Sequence, residues 1–348
     1  MNAVRQFFRP ERIRETSLLV LIIAIVLIFN TQIPNYLEAR TFNRISSSVM
    51  IIMVMAVGEV LVILTRNIDL SIGSIVGFTA FFVGRQIAGN NDLPPLVLIL
   101  MAMSVGAIMG MINGLLTAYG KVPAIVVTLG TLAIYRAFLV EYGGGQTVTT
   151  SSLPQWLNDL ARVDLFTVGK LQIRLLFSIA VVAVIVFQIA LAYLPFGRRL
   201  YAIGSNPDAA RIAGMPIRRI TLLAYILCGA MSGLAGFMYL AQYGNITVVA
   251  AQGLELQVVA AAVVGGISIN GGTGTMIGAA LGAILIGTIE QSLIRMANIS
   301  EFWKDALLGL FILVAVVSDA LILNRIKSIW SRSARKQRLA EAANRSAQ

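Results

Sequence analysis

Ten apolar runs follow one another along this chain, near residues 17–33, 45–64, 70–88, 94–118, 123–141, 173–195, 220–242, 254–269, 273–294 and 304–323. Each approaches the roughly 20 residues that an α-helix needs to cross a hydrocarbon core about 30 Å thick. In that solvent every backbone N–H and C=O must find its partner inside the molecule. Repeated runs of this length therefore predict an all-α, polytopic integral membrane protein of about ten spans. The run at 254–269 is short and flanked by glycines, which predicts a broken or re-entrant segment. Only 12% of the residues are charged, about half the share found in soluble domains.

The formal net charge is +11. The basic residues sit beside apolar runs and are not interleaved with aromatics in a compact basic domain, so the charge points to membrane topology and not to nucleic acid. With ten spans and the N-terminus inside, eighteen of the 27 lysines and arginines fall on one side. These are Arg5, Arg9, Arg12 and Arg14, then Arg66 and Lys121, the five arginines of the 196–219 loop, and the seven basic residues after Asn324. The other nine, Arg40, Arg44, Arg85, Arg136, Arg162, Lys170, Arg174, Arg295 and Lys304, fall in outer segments or span ends. The positive-inside rule then places 1–16, the 196–219 loop and the 324–348 tail in the cytoplasm, with 17–323 as the transmembrane domain. Residues 1–30 have the charge pattern of a secretory signal, but FNTQIPNY offers no small-x-small cleavage site, so the segment reads as an uncleaved first span. Both termini are expected to be cytoplasmic.

Several chemistries are excluded. Histidine is absent and Cys228, inside LLAYILCGAMSG, is the only cysteine. This removes imidazole catalysis, histidine metal sites and intrachain disulfides. No GxxxxGK[ST] occurs: Gly169-Lys170 is followed by Leu171 and Gly120-Lys121 by Val122. Without a P-loop the chain is not expected to hydrolyse ATP. No nucleophile–base pair, metal cluster or cofactor signature is present, so no catalytic residue, metal or cofactor is assigned.

Polar residues inside apolar runs mark candidates for a path. TRNIDLSIGS, Thr65–Ser74, places Arg66, Asn67 and Asp69 between two runs, followed by Ser71, Gly73 and Ser74 at a helix start. Asp69 reads either as a structural cap at the membrane surface or as part of a broken helix whose freed backbone lines a cavity. Asn113 and Asn270 are amides in apolar surroundings and need a partner, from another helix or from a passing solute. In KVPAIVVTLGTLAIYRAFLVEYGGG, Thr128 and Thr131 either line the path or bond their own helix backbone. The translocation-path candidates are thus Asn67, Asp69, Ser71, Ser74, Asn113, Thr128, Thr131 and Asn270. Glu59 and Glu290 also lie within apolar runs, where an acid costs roughly 2.5–3.5 kcal/mol. They keep a proton-driven secondary carrier open as an alternative. Glu255 and Asp305 read as interfacial.

Two further patterns concern organisation. Ile68–Gly77, IDLSIGSIVG, aligns with Ile269–Gly278, INGGTGTMIG, at an offset of 201 residues, as a weak parallel repeat or a coincidence of glycine-rich sequence. The longest outer loop, 142–172, contains SSLPQWLNDLARV, where Ser151 or Ser152 would cap a short helix carrying Trp156, Leu157 and Leu160 on one face. That helix either docks an outer partner or anchors in the membrane interface.

The 196–219 loop is the strongest local signal. It reads FGRRLYAIGSNPDAARIAGMPIRR. Ser205 or Asn206 can cap a helix, Pro207 suits its first position, and Asp208 complements the positive dipole end. Gly214 can end it in the left-handed region and Pro216 blocks continuation. About two turns of helix are expected on a basic cytoplasmic loop, an element suited to receiving force from a partner.

TRNIDLSIGS, GKVPAIVVTLGTLAIYR, the 196–219 loop and VVGGISINGGTGTMIGAALG occur in this order. Together, over about residues 45–323, they closely resemble the permease subunits of bacterial ABC importers for monosaccharides, the branched-chain-amino-acid/ribose-xylose-arabinose-galactoside permease family. The TRNID variant also looks like that of permeases for the autoinducer-2 furanosyl signal. The resemblance implies a pore in the bacterial inner membrane made by two permease chains, as homodimer or heterodimer. Its implied partners are two cytoplasmic ATPase subunits or a fused double ATPase, and a periplasmic sugar-binding protein, with membrane lipid around the pore. It also implies that the loop carries the helix that docks on the ATPase, here Ser205, Asn206, Pro207, Asp208, Ala209, Ala210, Arg211, Ile212, Ala213, Gly214 and Met215.

Overall fold

The computed structural model describes residues 10–89 and 93–296, together with positions 303, 306, 309, 310 and 313. Most of the expected last span, Asp305 and the basic tail therefore lie outside the described residues, as do residues 1–9. Twelve α-helices occur among the described residues: α1 (Pro10–Gln32), α2 (Ala39–Leu64), α3 (Ile72–Gly89), α4 (Pro95–Ala118), α5 (Ala124–Gly143), α6 (Gln155–Leu160), α7 (Leu175–Tyr193), α8 (Pro195–Ser205), α9 (Pro207–Ile212), α10 (Ile217–Tyr243), α11 (Leu254–Val264) and α12 (Met276–Leu293). Eight of them, α1 to α5, α7, α10 and α12, are long and apolar enough to cross a membrane. The protein is polytopic and mostly helical.

The core follows from which helices are apolar all round. Helix α2 is buried from Val49 to Leu64 and forms the centre. Helix α10 packs against it and, most extensively, against α4. Small residues permit this approach. Gly106 and Gly110 on α4 face Gly229 and Gly233 on α10, and a Cβ at Gly106 would overlap the Gly229 carbonyl oxygen while one at Gly233 would overlap that of Ala102. Helices α4, α5 and α7 turn large apolar side chains outward, among them Leu100, Ile108, Val126, Phe138, Val182 and Ile189. These are lipid-facing surfaces by composition.

One end of the bundle, here the basic end, gathers the α2–α3, α4–α5 and α11–α12 loops with α8 and α9. The other end carries the 144–174 connection. There Thr149 and Ser152 form a capping box on a 3₁₀ turn, Thr150–Ser152. Helix α6 begins after Pro154 without a side-chain cap. Leu157 is fully buried, and Trp156 and Leu160 pack on the core, so α6 is docked on its own bundle. A hairpin follows, β1 (Asp164–Val168) antiparallel to β2 (Leu171–Arg174). It is tied to α2 by Asn43, whose Oδ1 accepts from the Gln172 N–H at 3.1 Å, and by Arg174, which donates to Ser47 Oγ at 2.8 Å.

The short apolar run resolves into a half-span. Ile246 pairs with Val148 at the far end. The chain then runs inward without helix to Gly253, and α11 carries it to Gly265 at the basic end. Unpaired carbonyls at that depth need donors. Arg136 on α5 supplies them, its Nη1 reaching Val248 O at 3.3 Å and Ala250 O at 2.6 Å. Arg136 is thus a bundle residue and not an outer-segment charge. Glu255 likewise is not interfacial: it packs against Gly73 in the first turn of α3, where a Cβ would overlap its carboxylate. The two aligned segments, Ile68–Gly77 and Ile269–Gly278, each lead from a loop at the basic end into a helix, α3 and α12.

Candidate functional site

The geometry begins where α2 ends. Thr65 and Arg66 turn the chain, with Arg66 in the left-handed region at φ 66°. The segment 67–71 then doubles back alongside α2, so that α3 starts inside the bundle. Glu59 lies five residues before the end of α2, and its Oε1 accepts the Asp69 N–H at 3.0 Å. Asp69 Oδ1 accepts the Ser71 N–H at 2.9 Å and the Ser71 hydroxyl at 2.6 Å, closing an Asx-type turn ahead of α3. Asn113 on α4 donates through Nδ2 to Asp69 Oδ2 at 3.1 Å and to Ser71 Oγ at 2.8 Å. Tyr135 on α5 donates to Met109 O at 2.8 Å and lies 3.4 Å from Asn113 Oδ1. Glu59, Asp69, Ser71 and Asn113 are fully buried. The two sequence readings of Asp69 merge: it is a cap, and it sits at depth in a broken helix.

Of the eight path candidates, Asp69, Ser71 and Asn113 form this network. Thr128 joins its edge by donating to Ile68 O at 3.2 Å, and Ser74 links α3 to α5 by donating to Leu132 O at 3.0 Å. Thr131 donates to Val127 O at 3.1 Å, within its own helix. Asn67 donates to Thr65 O at 3.0 Å and stands at the mouth of a cavity. Asn270 is exposed in a turn of the α11–α12 loop, away from the others.

That cavity is a vestibule of about 930 Å³ at the basic end. Arg66, Lys121, Arg211, Arg218 and Arg219 line it, with Thr117 at its inner side. The Thr117 hydroxyl is buried beside that of Tyr225. Thr117 lies one turn from Asn113 along α4, so a polar column leads from the vestibule to the Asp69 network. Lys121 also holds a positive φ, 58°. Two left-handed cationic residues at loop ends cost of order 1 kcal/mol each or more, and both border the vestibule.

The 196–219 loop folds as two helices where the sequence predicts one. Helix α8 is amphipathic and buries Leu200 and Ile203. Asn206 then caps α9, its Oδ1 accepting the Ala209 N–H at 3.0 Å, with Pro207 in the first turn and Gly214 at φ 71°. Ser205 is not the cap: it ends α8 and faces Gly272. On α9, Ala210 is buried at 4% exposure whereas Ile212 is 88% exposed. Asp208 and Arg211 approach to 3.8 Å on the outer surface. Behind α8 three strands of chain meet. Arg66 Nε donates to Gly204 O at 2.6 Å and its Nη2 to Ser205 O at 2.9 Å, while the Gly272 N–H donates to Leu64 O at 3.1 Å. A Cβ at Gly204 would overlap both Leu64 and Gly272.

The path candidates read from sequence leave out Tyr135, and the contact between Glu59 and the Asp69 backbone was not foreseen. Neither has a local signature: the Glu59 contact arises from loop 67–71 folding back, and Tyr135 reaches Met109 and Asn113 across the packed face of α4.

A family model described as branched-chain amino acid transport system / permease component matches residues 41–316. Among curated proteins the chain is similar to the autoinducer 2 import system permease protein LsrC of Yersinia enterocolitica, 36% identical over 332 residues, covering 95% of this chain and 88% of that protein. The protein of the same name from Yersinia pseudotuberculosis is 37% identical over 330 residues, covering 94% and 89%. That from Salmonella typhi is 35% identical over 327 residues, covering 94% and 90%. No solved structure matches significantly. A bundle of long apolar helices with a broken α2–α3 junction, a half-span and a capped surface helix, matched over most of its length, belongs to the branched-chain amino acid transport system permease family, as the permease component of an ABC importer.

Proposed function

We propose that this chain carries a small furanosyl solute of the autoinducer 2 class across the bacterial inner membrane, with energy supplied by separate ATPase subunits. The solute class rests on the relatives, whose printed name is an autoinducer 2 import permease. The basic end is cytoplasmic, in keeping with the charge bias. Two ATPase subunits, or a fused pair, dock there on residues 205–215, a periplasmic binding protein delivers solute to the opposite end, and a second permease chain completes the pore. The column from Thr117 through Asn113 to Asp69 borders the inner part of the path. The single observation that carries the coupling assignment is α9: a capped helix that projects Ile212 almost fully into solvent. An isolated exposed isoleucine on a rigid, charged surface helix suits a hot spot for a protein partner.

The test is uptake of autoinducer 2 by the permease assembled with its ATPase and binding protein. Accumulation requires ATP and survives a protonophore while ATP is held constant. Accumulation by the permease alone, or collapse with the protonophore, overturns the reading, as does uptake of D-ribose with none of autoinducer 2 for the solute class.

A second measurement addresses docking. Ile212→Asp weakens ATPase co-purification by roughly 30-fold, the equivalent of a 2 kcal/mol interface anchor, and leaves the permease folded because the side chain is almost wholly exposed. Ala210 is the wrong position for this test, since a charge there disrupts the packing of α9 itself. Unchanged co-purification of Ile212→Asp sinks the coupling assignment.

A further inference from the structure

Opposite the vestibule, a second cavity of about 220 Å³ opens between α2, α10, the 247–253 segment, α11 and α12. Its depth follows from helix rise. Ile51, on its wall, lies thirteen residues before the inner end of α2 at Leu64, about 20 Å at 1.5 Å per residue. The cavity therefore lies in the outer half of the hydrocarbon core, near the outer ends of α10 at Tyr243 and α12 at Leu293.

Its chemistry is unlike that of the lipid-facing surfaces. Tyr239 and Tyr243 stand side by side, with ring centroids 4.5 Å apart and planes inclined by 47°. The Tyr239 hydroxyl accepts the Ala251 N–H at 3.3 Å, which fixes the first ring against the inward-running segment. Gln252, Gln257, Glu290 and Gln291 complete the lining. The side chains of the three glutamines make no hydrogen bond among the described residues. Amides and a carboxylate at this depth are costly against lipid and belong on water-filled or protein-covered surfaces.

We propose that Tyr239, Tyr243, Gln252, Gln257, Glu290 and Gln291 form a low-affinity station for a hydroxylated five-carbon solute, in the outer half of the path. The inference rests on the permease reading above. The tyrosine rings offer an apolar face to the carbon skeleton. The glutamine amides donate to and accept from ring hydroxyls, and the carboxylate accepts from a vicinal pair. The volume lies below the ~300–1,000 Å³ of pockets for drug-sized ligands, which suits a monosaccharide-sized molecule. The site also dictates orientation in the pore: the face bearing Gln252 and Gln291 turns toward the second permease chain, with α7 toward lipid.

Cys228 is buried, so a single introduced thiol reports cleanly. Gln252→Cys and, as the lipid-facing control, Val186→Cys are prepared in the assembled importer in proteoliposomes. Each is treated from the binding-protein side with a membrane-impermeant methanethiosulfonate, with and without excess autoinducer 2 or D-ribose. Gln252→Cys is expected to react at least tenfold faster than Val186→Cys, and one of the two solutes slows it at least threefold. A rate no faster than the control, or a fast rate that neither solute changes, overturns the station. Uptake by the unsubstituted importer is read in parallel. Its absence for both solutes refutes the proposed solute class, independently of the labelling result.

Discussion

Gly229→Leu is expected to leave no folded permease in the membrane. Its Cα faces Gly110, and a Cβ there would overlap the Gly106 carbonyl oxygen of α4. The obstructing atoms are backbone on a packed helix, so no rotamer change relieves them. The two helices must separate along the most extensive packing surface in the bundle. Overpacking commonly costs about 1–3 kcal/mol where side chains can yield, and here they cannot, so the cost reaches or exceeds the upper end for alanine and more for leucine. Folded globular domains have only about 5–15 kcal/mol in hand. Gly130 provides the matched control, since a Cβ there meets nothing within 4 Å. Gly130→Leu exchanges a poor helix former for a good one and leaves stability unchanged or raised by up to roughly 1 kcal/mol. Size-exclusion profiles and thermal unfolding after detergent extraction separate the two. A monodisperse Gly229→Leu protein with wild-type melting refutes the close-packed α4–α10 interface.

Asp69→Ala should be nearly as damaging, for a different reason. The Asp69 carboxylate is the acceptor for the Ser71 N–H, the Ser71 hydroxyl and the Asn113 amide, all of them buried. Removing it strands those donors, at about 1–3 kcal/mol for each that finds no new partner. Two lost partners would cost on the order of 2–6 kcal/mol. The 67–71 turn would no longer be held alongside α2, and uptake is expected to fall to background. Asn113→Ala should cost less, because Ser71 keeps its acceptor. The double variant Asp69→Ala/Asn113→Ala should cost less than the sum of the two, by roughly 0.5–3 kcal/mol, because each single change already breaks the shared bond. Thermal unfolding of the four proteins closes the cycle. Additivity within about 0.5 kcal/mol would mean that Asp69 and Asn113 do not act together.

Much of the architecture was legible because membrane physics leaves few options. Run length and the backbone hydrogen-bonding rule foretell the long helices, and the short glycine-flanked run at 254–269 foretells the half-span. Local chemistry was equally readable at Asn206, Pro207 and Gly214, where cap, first-turn proline and left-handed glycine are all intrinsic to the residues. What the sequence withheld was three-dimensional adjacency. Arg136 looked like a span-end charge because nothing local reveals that Val248 and Ala250 descend to meet it. Helix α8 was hidden because Phe196–Ser205 mixes arginines with apolar residues, and only docking of Leu200 and Ile203 makes it helical. The hairpin at 164–174 depends on Asn43 and Arg174 bridging more than a hundred residues of separation. Asp69 and Asn113 were both visible as candidates, whereas their pairing was not, since it requires the chain to reverse beyond Thr65.

The junction of Arg66, Gly204 and Gly272 has a mechanical consequence. A guanidinium bonded to two carbonyls of α8, and backbones in direct apposition without intervening side chains, form a joint with almost no slack. A push on α9 is therefore shared at once with the turn that precedes Asp69 and with the loop that launches α12. If the ATPase docks on α9 as proposed, its stroke would reach both segments together, with little lost travel between the handle and the latch.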